Sequence, residues 1–445
     1  MTAVVTSSAA DRYVAEFASF ASRTAAAPAW LASARQEAMA RFTAAGFPTT
    51  RQEEWRFTSV AEIAETPFAL AAHDAPVDAT QLRALEICEA HRHLLVFVNG
   101  RYQPQLSSIA GLPAGVVLGS LRAALGSHEA VVARHFGRTT AAARTPLGWL
   151  NTAFADDGAF IYVPRDVQMD EPVQLLYYSA PNGGGAPTVS YPRTLVVVDR
   201  GAKLSLVETY GGSAGARYWT NAVTEVVTGE QARVDAYRVQ RESGQAFHTA
   251  ATYSEQGRDS TVTIHPVVFG AALSRHDIVT RLGGQNGHCT INGLYILDDA
   301  QHVDHHTTID HAEPHCESHE YMNGVLDGRS RGVFNGRIIV RPGAQRTDSK
   351  QTNNNLVLSE HARADSQPQL EIYADDVKCT HGATLGPIDP QAMFYLTSRG
   401  ISTAEARSLL TYGFGAEIID RMEIAPLQAQ LDRLIRQRLL GGARG

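Results

Sequence analysis

The pattern of hydrophobic and polar positions changes character along the chain. Residues from about 10 to 64 read as helical. In Ala29–Phe47, Trp30, Ala34, Ala38 and Phe42 recur every four residues, Leu31 and Met39 widen the stripe, and Gly46 with Pro48 ends it. The segment "TTRQEEWRFTSV" that follows is amphipathic and carries Trp55 and Phe57. Leu94–Val98 alternates and runs into Asn99-Gly100, which predicts a β-hairpin. Residues 112–144 return to mixed and helical character. Residues 1–150 therefore read as one α-rich N-terminal domain of ordinary size.

Over residues 151–388 helical periodicity gives way to short strand-like runs such as "AFIYV", "VQLLYYS", "TLVVVD", "KLSLVETY" and "GRIIV", separated by Gly, Asn, Asp or Ser. Such a train must close on itself as a sandwich, barrel or β-helix, because open strand edges invite aggregation. The run Asn353–Asn355 and the Thr/Ser/Asn-rich strands favour stacked rungs, along which like amides ladder. No clean repeat period is visible, so periodicity leaves β-helix and sandwich both open.

Residues 389–445 form a helical tail. Asp389 caps a helix with Pro390 at its first position, and Gly400 ends it. Ser402 and Glu405 make a capping box for "ARSLLTYGFG", with Gly413 and Gly415 as the expected stop. A last helix after Pro426 aligns Leu427, Leu431, Leu434, Ile435 and Leu439 on one side. Three helices of this size cannot bury those faces on one another, so they pack on the β region, on a partner, or on both.

Composition narrows the function classes. The 445 residues are 44% hydrophobic and 19% charged, which is ordinary for a globular protein and excludes a disordered one. A net charge of -7 argues against a dedicated nucleic-acid binder. The lysines are Lys203, Lys350 and Lys378, and none stands in a "GxxxxGK[ST]" context, so the chain carries no P-loop. Cys88, Cys289, Cys316 and Cys379 are widely spaced and read as reduced thiols. With neither a leader nor a membrane-spanning run, the expected location is the cytoplasm, with no membrane partner.

Candidate chemistry concentrates near the end of the β region. Cys379 and His381 are two apart, so on a strand they share one face, with Asp375 and Asp376 before them and Gly382 after. A thiolate nucleophile with its base, a pair of metal or sulfide ligands, and a buried structural pair all fit that spacing. Nucleophilic catalysis further requires a group to orient the base and an oxyanion site. A second cluster, "QHVDHHTTIDHAEPHCESHE", holds His302, His305, His306, His311, His315, Cys316 and His319. These are zinc and iron ligand types, but no established zinc spacing is matched, and polar rung residues are the competing reading. A carbohydrate-active β-helix enzyme would need paired carboxylates across a groove, for which Asp304, Asp310, Glu317 and Glu320 are the candidates.

Long blocks add what spacing leaves open. "PTTRQEEWRFT", "LNTAFADDGAFIYVP", "HHTTIDHAEPHCESHEYMNGVLDGRSRGVFNGRIIVRPGAQRTDSKQTNNNLVLSE", "PQLEIYADDVKCTHGATLGPID" and "FYLTSRGI" resemble the SufB/SufD family of the SUF iron–sulfur cluster assembly system. The "KCTHGAT" segment and the lack of a cysteine-rich N-terminal motif are similar to its D-type members. The resemblance implies a right-handed parallel β-helix over residues 151–388, flanked by helical regions, in a non-catalytic scaffold subunit. It implies pairing with a SufB-type paralogous subunit and docking of a SufC-type ATPase subunit by residues 389–445, with a homodimer as the state open to the isolated chain. It also implies that His381 and Cys379 lie where iron or a nascent iron–sulfur cluster is held transiently, with the remaining ligands supplied by the B-type subunit.

Overall fold

Runs rich in β-branched and aromatic residues form strands, and from Arg193 to Gly386 strands pair in parallel with those two places away rather than with the next. The computed structural model describes residues 4–87, 93–138, 145–183 and 185–440, so Cys88 lies outside the described residues. Its strands form two sheets, each of 11 strands. Successive strands alternate between the two sheets, so the chain winds as a parallel β-helix with about 30 residues per turn. In the first sheet Leu273 pairs with His302, His302 with Arg331, and Arg331 with Arg363. In the second, His288, Glu317, Asp348 and Lys378 line up in the same way. The expected mainly β fold, with a parallel β-helix between helical regions, is the one observed. The sandwich is excluded by parallel pairing.

One corner of each turn is made by a residue with positive φ: Gln231, Asp259, Asn286, His315 and Arg346. The backbone N–H of Gln231 donates to the Arg258 carbonyl at 2.8 Å, that of Asp259 to Gln285 at 2.8 Å, and that of His315 to Gln345 at 2.9 Å. Each turn is thereby tied to the next at its corner. Asn, Asp and His tolerate this left-handed conformation better than most residues, which accounts for His315.

Between the sheets lies a narrow lumen filled by alternate residues, including Val234, Val262, Ile291, Ile309, Met322 and Ile338. Burying each such side chain contributes about 1.5–3 kcal/mol. The lumen also holds titratable groups with close partners: Arg238 pairs with Glu208 at 3.2 Å, and the His248 ring lies 2.7 Å from Glu242.

The outer faces are covered by opposite ends of the chain. Helices Val4–Arg23, Ala29–Ala45 and Pro146–Phe154, with the short turn Glu53–Trp55, lie on the first sheet, where Phe42, Phe47 and Trp55 pack with Tyr191, Trp219 and Phe247. Arg275 fastens this layer. Its guanidinium lies 3.6 Å from the centroid of the Trp55 ring, donates to the Glu54 carbonyl at 2.7 Å, and pairs with Asp304 at 2.8 Å and Asp277 at 2.9 Å. The strand His93–Val98 joins the second sheet beside Val173–Ser179. Its expected hairpin is present, with Asn99 and Gly100 both at positive φ.

On the second sheet, helices Thr403–Ile419 and Ala425–Leu440 bury Ile418, Leu427, Leu431 and Ile435 against Val239, Val267, Leu294 and Ile296. The caps of the tail are those expected. Asp389 accepts from the Gln391 N–H at 2.9 Å, and both halves of the Ser402/Glu405 box are made. Gly413 and Gly415, expected as a stop, do not end their helix, which continues to Ile419. A Cβ on Gly415 would lie 3.8 Å from both Ile296 and Ile435, so this glycine sits at the close contact of helix, sheet and neighbouring helix. Tertiary packing outweighs the roughly 1 kcal/mol that a mid-helix glycine costs.

Candidate functional site

The two ends of the β-helix differ. At the first end, short antiparallel strands such as Val117–Ser120 and Arg101–Tyr102 terminate the sheets. At the last end the terminal strands are Arg363–Ile372 and Lys378–Gly386, and among the described residues no strand pairs with their outer edges. Strands of the solenoid before Arg363–Ile372 carry buried residues along much of their length, whereas Lys378–Gly386 has none and is largely exposed. An edge of unpaired N–H and C=O groups beside an open lumen is what remains.

Cys379 and His381 stand on this last rung. The register pairs Ser349 with Cys379 and Gln351 with His381. Ser349 and Gln351 face the lumen. Ser349 bonds Ser318 at 2.7 Å, and Ser318 in turn bonds the His311 ring of the opposite sheet at 2.8 Å. Gln351 reaches across toward Gly336, where an added Cβ would lie 2.3 Å from its amide nitrogen. Cys379 and His381 therefore continue two lumen-facing polar columns out to the mouth. Asp375 and Asp376 form the corner leading in, with the Arg346 N–H donating to the Asp376 carbonyl at 2.6 Å. Gly382 has no atom within 4 Å of an added Cβ, so the approach it permits is not taken up by this chain.

The electrostatics discriminate among the readings of this pair. Burial pushes the Cys379 thiol up, and the neighbouring Asp348 carboxylate pushes it further in the same direction. A nucleophilic cysteine needs the opposite shift, and no hydrogen bond to an orienting group is found on His381 among the described residues. Cys379 and His381 thus stand as a thiol and an imidazole on one face of an exposed terminal strand.

The histidine-rich stretch disperses. Alternation along His302–His311 turns His305 and His311 into the lumen and His302 and His306 outward, while His319 is exposed on the other sheet. His302 bonds Thr58 at 2.9 Å, His306 lies 3.1 Å from Asp304, and His305 stacks on Tyr295. Among the described residues no group of three or more His, Cys, Asp or Glu is gathered as a metal site. The sulfur of Cys316 donates to the Gly284 carbonyl at 3.3 Å, and Cys289 is buried. The carboxylates diverge likewise. Asp304 is held by Arg275, Asp310 by Arg341 at 2.9 Å, Glu317 is exposed on the outer face of the second sheet, and Glu320 is sealed in the lumen. No groove brings two of them together as glycoside hydrolysis requires.

Two further groups take on a different setting in the folded chain from the one local pattern gave them. Glu320 is fully buried, and burial raises its carboxyl to about 7 against the opposing hydrogen bond from Gln351. It accepts from the Gln351 amide at 2.7 Å, so Glu320, Gln351 and His381 occupy consecutive rungs of one column. Stacking strands by their corner residues would have aligned them. On the outside, helix Pro390–Thr397 leaves Phe394 and Tyr395 73% and 56% exposed.

Fold and site together define a parallel β-helix whose lumen opens at one end on a cysteine–histidine pair. The chain belongs to the SufBD family of the SUF system of iron–sulfur cluster assembly. Residues 180–414 match the SufBD core domain of that system, and residues 8–175 match the SufBD protein N-terminal region. It is 33% identical to an iron-sulfur cluster assembly SufBD family protein of Synechocystis sp. over 91% of this chain and 90% of the relative. It is 30% identical to the iron-sulfur cluster assembly protein SufD of Escherichia coli over 92% and 93%, and 27% identical to SufD of Bacillus subtilis over 93% and 94%. No helix among the described residues is long and apolar enough to cross a membrane.

Proposed function

We propose that this chain is a non-catalytic, SufD-type scaffold subunit that completes its iron or cluster site only when a SufB-type paralogous β-helix covers its open end. The observation that carries this reading is the exposed terminal rung, which ends a lumen column in Cys379 and His381 and leaves a sheet edge unpaired. A second β-helix set edge to edge would continue the sheets and shield the mouth. Ligation requires the thiolate and the neutral imidazole, and in such a shielded place the bound iron itself supplies the charge that stabilises the thiolate. Iron is the cargo, His381 and Cys379 are its ligands on this side, and the partner supplies the rest. The same edge on a second copy gives the alternative homodimer of the isolated chain.

The ATPase subunit docks on the C-terminal helices. Leu427, Leu431 and Ile435 are wholly buried on the second sheet, so the last helix has no free apolar face to offer. The docking surface contracts to helix Pro390–Thr397 and the start of the next, where Phe394, Tyr395 and Leu409 are exposed. Deletion of residues 402–445 would strip the second sheet and is not a clean test of docking.

The test is His381→Ala in the complex with both partner subunits. His381 is exposed, so the variant keeps assembly and a stability within about 0.5 kcal/mol of wild type. Iron and acid-labile sulfide should fall sharply. Wild-type iron and sulfide content in the variant complex would overturn the assignment.

A further inference from the structure

The column behind His381 contains a group that the reading above does not use. Gln351 is 1% exposed and sits one rung inward of His381, in direct register with it and on the same lumen face. Adjacent strands are about 4.8 Å apart, within reach of a carboxamide and an imidazole. Its nitrogen is committed, donating to a Glu320 carboxylate oxygen at 2.7 Å. Its oxygen is not. Gln351 Oε1 is buried and has no hydrogen-bond partner, a state that costs about 1–3 kcal/mol wherever it persists. Glu320 holds the inner end of the amide, because one of its carboxyl oxygens accepts from the NH2. The oxygen is left without a partner, and His381 is the next residue outward in the column. Opposite, Gly336 supplies the space the amide occupies.

We propose that Gln351 is the positioning residue of His381: its carboxamide oxygen accepts the ring N–H of His381, so that the other ring nitrogen presents its lone pair out of the mouth to iron. Metal-binding histidines are commonly held this way, and loss of the outer acceptor weakens metal binding by about 10–100-fold. In the isolated chain His381 is exposed and the bond is not made. A covering partner that excludes water from the mouth removes the competing solvent bonds. The inference rests on His381 being a ligand, and the experiment separates the two claims.

Cobalt(II) serves as the probe, titrated into the assembled complex and followed by its visible absorption. His381→Ala reports the first claim and should abolish the histidine-dependent band. Gln351→Met, close in volume and unable to accept, should weaken cobalt binding by about 10–100-fold and shift that band. Gln351→Glu, which keeps an acceptor at the same reach, should restore affinity to within a few-fold of wild type. If Gln351→Met fails to assemble, Gly336→Ala displaces the amide from across the lumen and should weaken cobalt binding in the same direction. Wild-type affinity and band shape in Gln351→Met, with the band lost in His381→Ala, would overturn the positioning role and leave the ligand intact. Wild-type binding in His381→Ala would overturn both.

Discussion

Glu320→Gln should make the protein more stable, and only above mildly acidic pH. The carboxyl of Glu320 is fully buried, and burial raises it from 4.5 to about 7 although Gln351 donates to it. Over that interval the folded carboxyl holds a proton that the unfolded chain has lost. The penalty is therefore absent below 4.5, grows as pH rises through the window, and is complete above about 7. At 1.36 kcal/mol per pKa unit the full penalty is on the order of 3 kcal/mol. Glutamine has nearly the same shape and no charge to bury, so it removes the pH-dependent part. The rearranged hydrogen bonds add only an offset that does not vary with pH. Urea unfolding followed by tryptophan fluorescence, run on wild type and variant from pH 4.5 to pH 8, measures the difference directly. The variant's advantage should widen by roughly 3 kcal/mol across that range. A difference that stays flat, or that shrinks as pH rises, would refute the account of a carboxyl ionising in a closed lumen.

Arg275→Met should cost about 3–5 kcal/mol by leaving Asp304 buried without its guanidinium, and proteolysis near Glu53–Trp55 should accelerate as the N-terminal layer loosens. Burial alone would raise the Asp304 carboxyl, but the His306 imidazole and the Arg275 guanidinium overcome it and hold the group far below the usual carboxylate range. Its stabilising share is thus full above about pH 4 and lost in acid, so the deficit of Arg275→Met should narrow below that pH. Phe394→Asp should leave the unfolding midpoint unchanged, since the ring is exposed, while abolishing copurification of the ATPase subunit. Retained copurification would move the docking surface elsewhere.

Local chemistry made much of this architecture legible. The Asn99-Gly100 turn, the Asp389 cap and the Ser402/Glu405 box all appear as expected, because each depends on residues within four positions of one another. The two-residue spacing of Cys379 and His381 likewise put them on one face. Repeat architecture was harder to see. Its corners at Gln231, Asp259, Asn286, His315 and Arg346 recur at unequal intervals, and unequal turn lengths erase a strict period while leaving strand register intact. The Gly413 and Gly415 stop failed for a different reason, since contacts with Ile296 and Ile435 compensate for a weak helical stretch.

Local sequence was enough for the order of textures, the caps, the turns and the placing of Cys379 and His381 on one strand face, all of which are set by interactions between near neighbours along the chain. Only the tertiary structure decided that the histidine-rich stretch scatters over two sheets and the lumen, that the last helix spends its apolar face on the solenoid, and that Glu320, Gln351 and His381 form one column. Those three residues are separated by whole turns of the β-helix. Their meeting depends on the register of parallel strands, which is fixed by corner geometry and by the filling of the lumen along the entire solenoid rather than by any local motif.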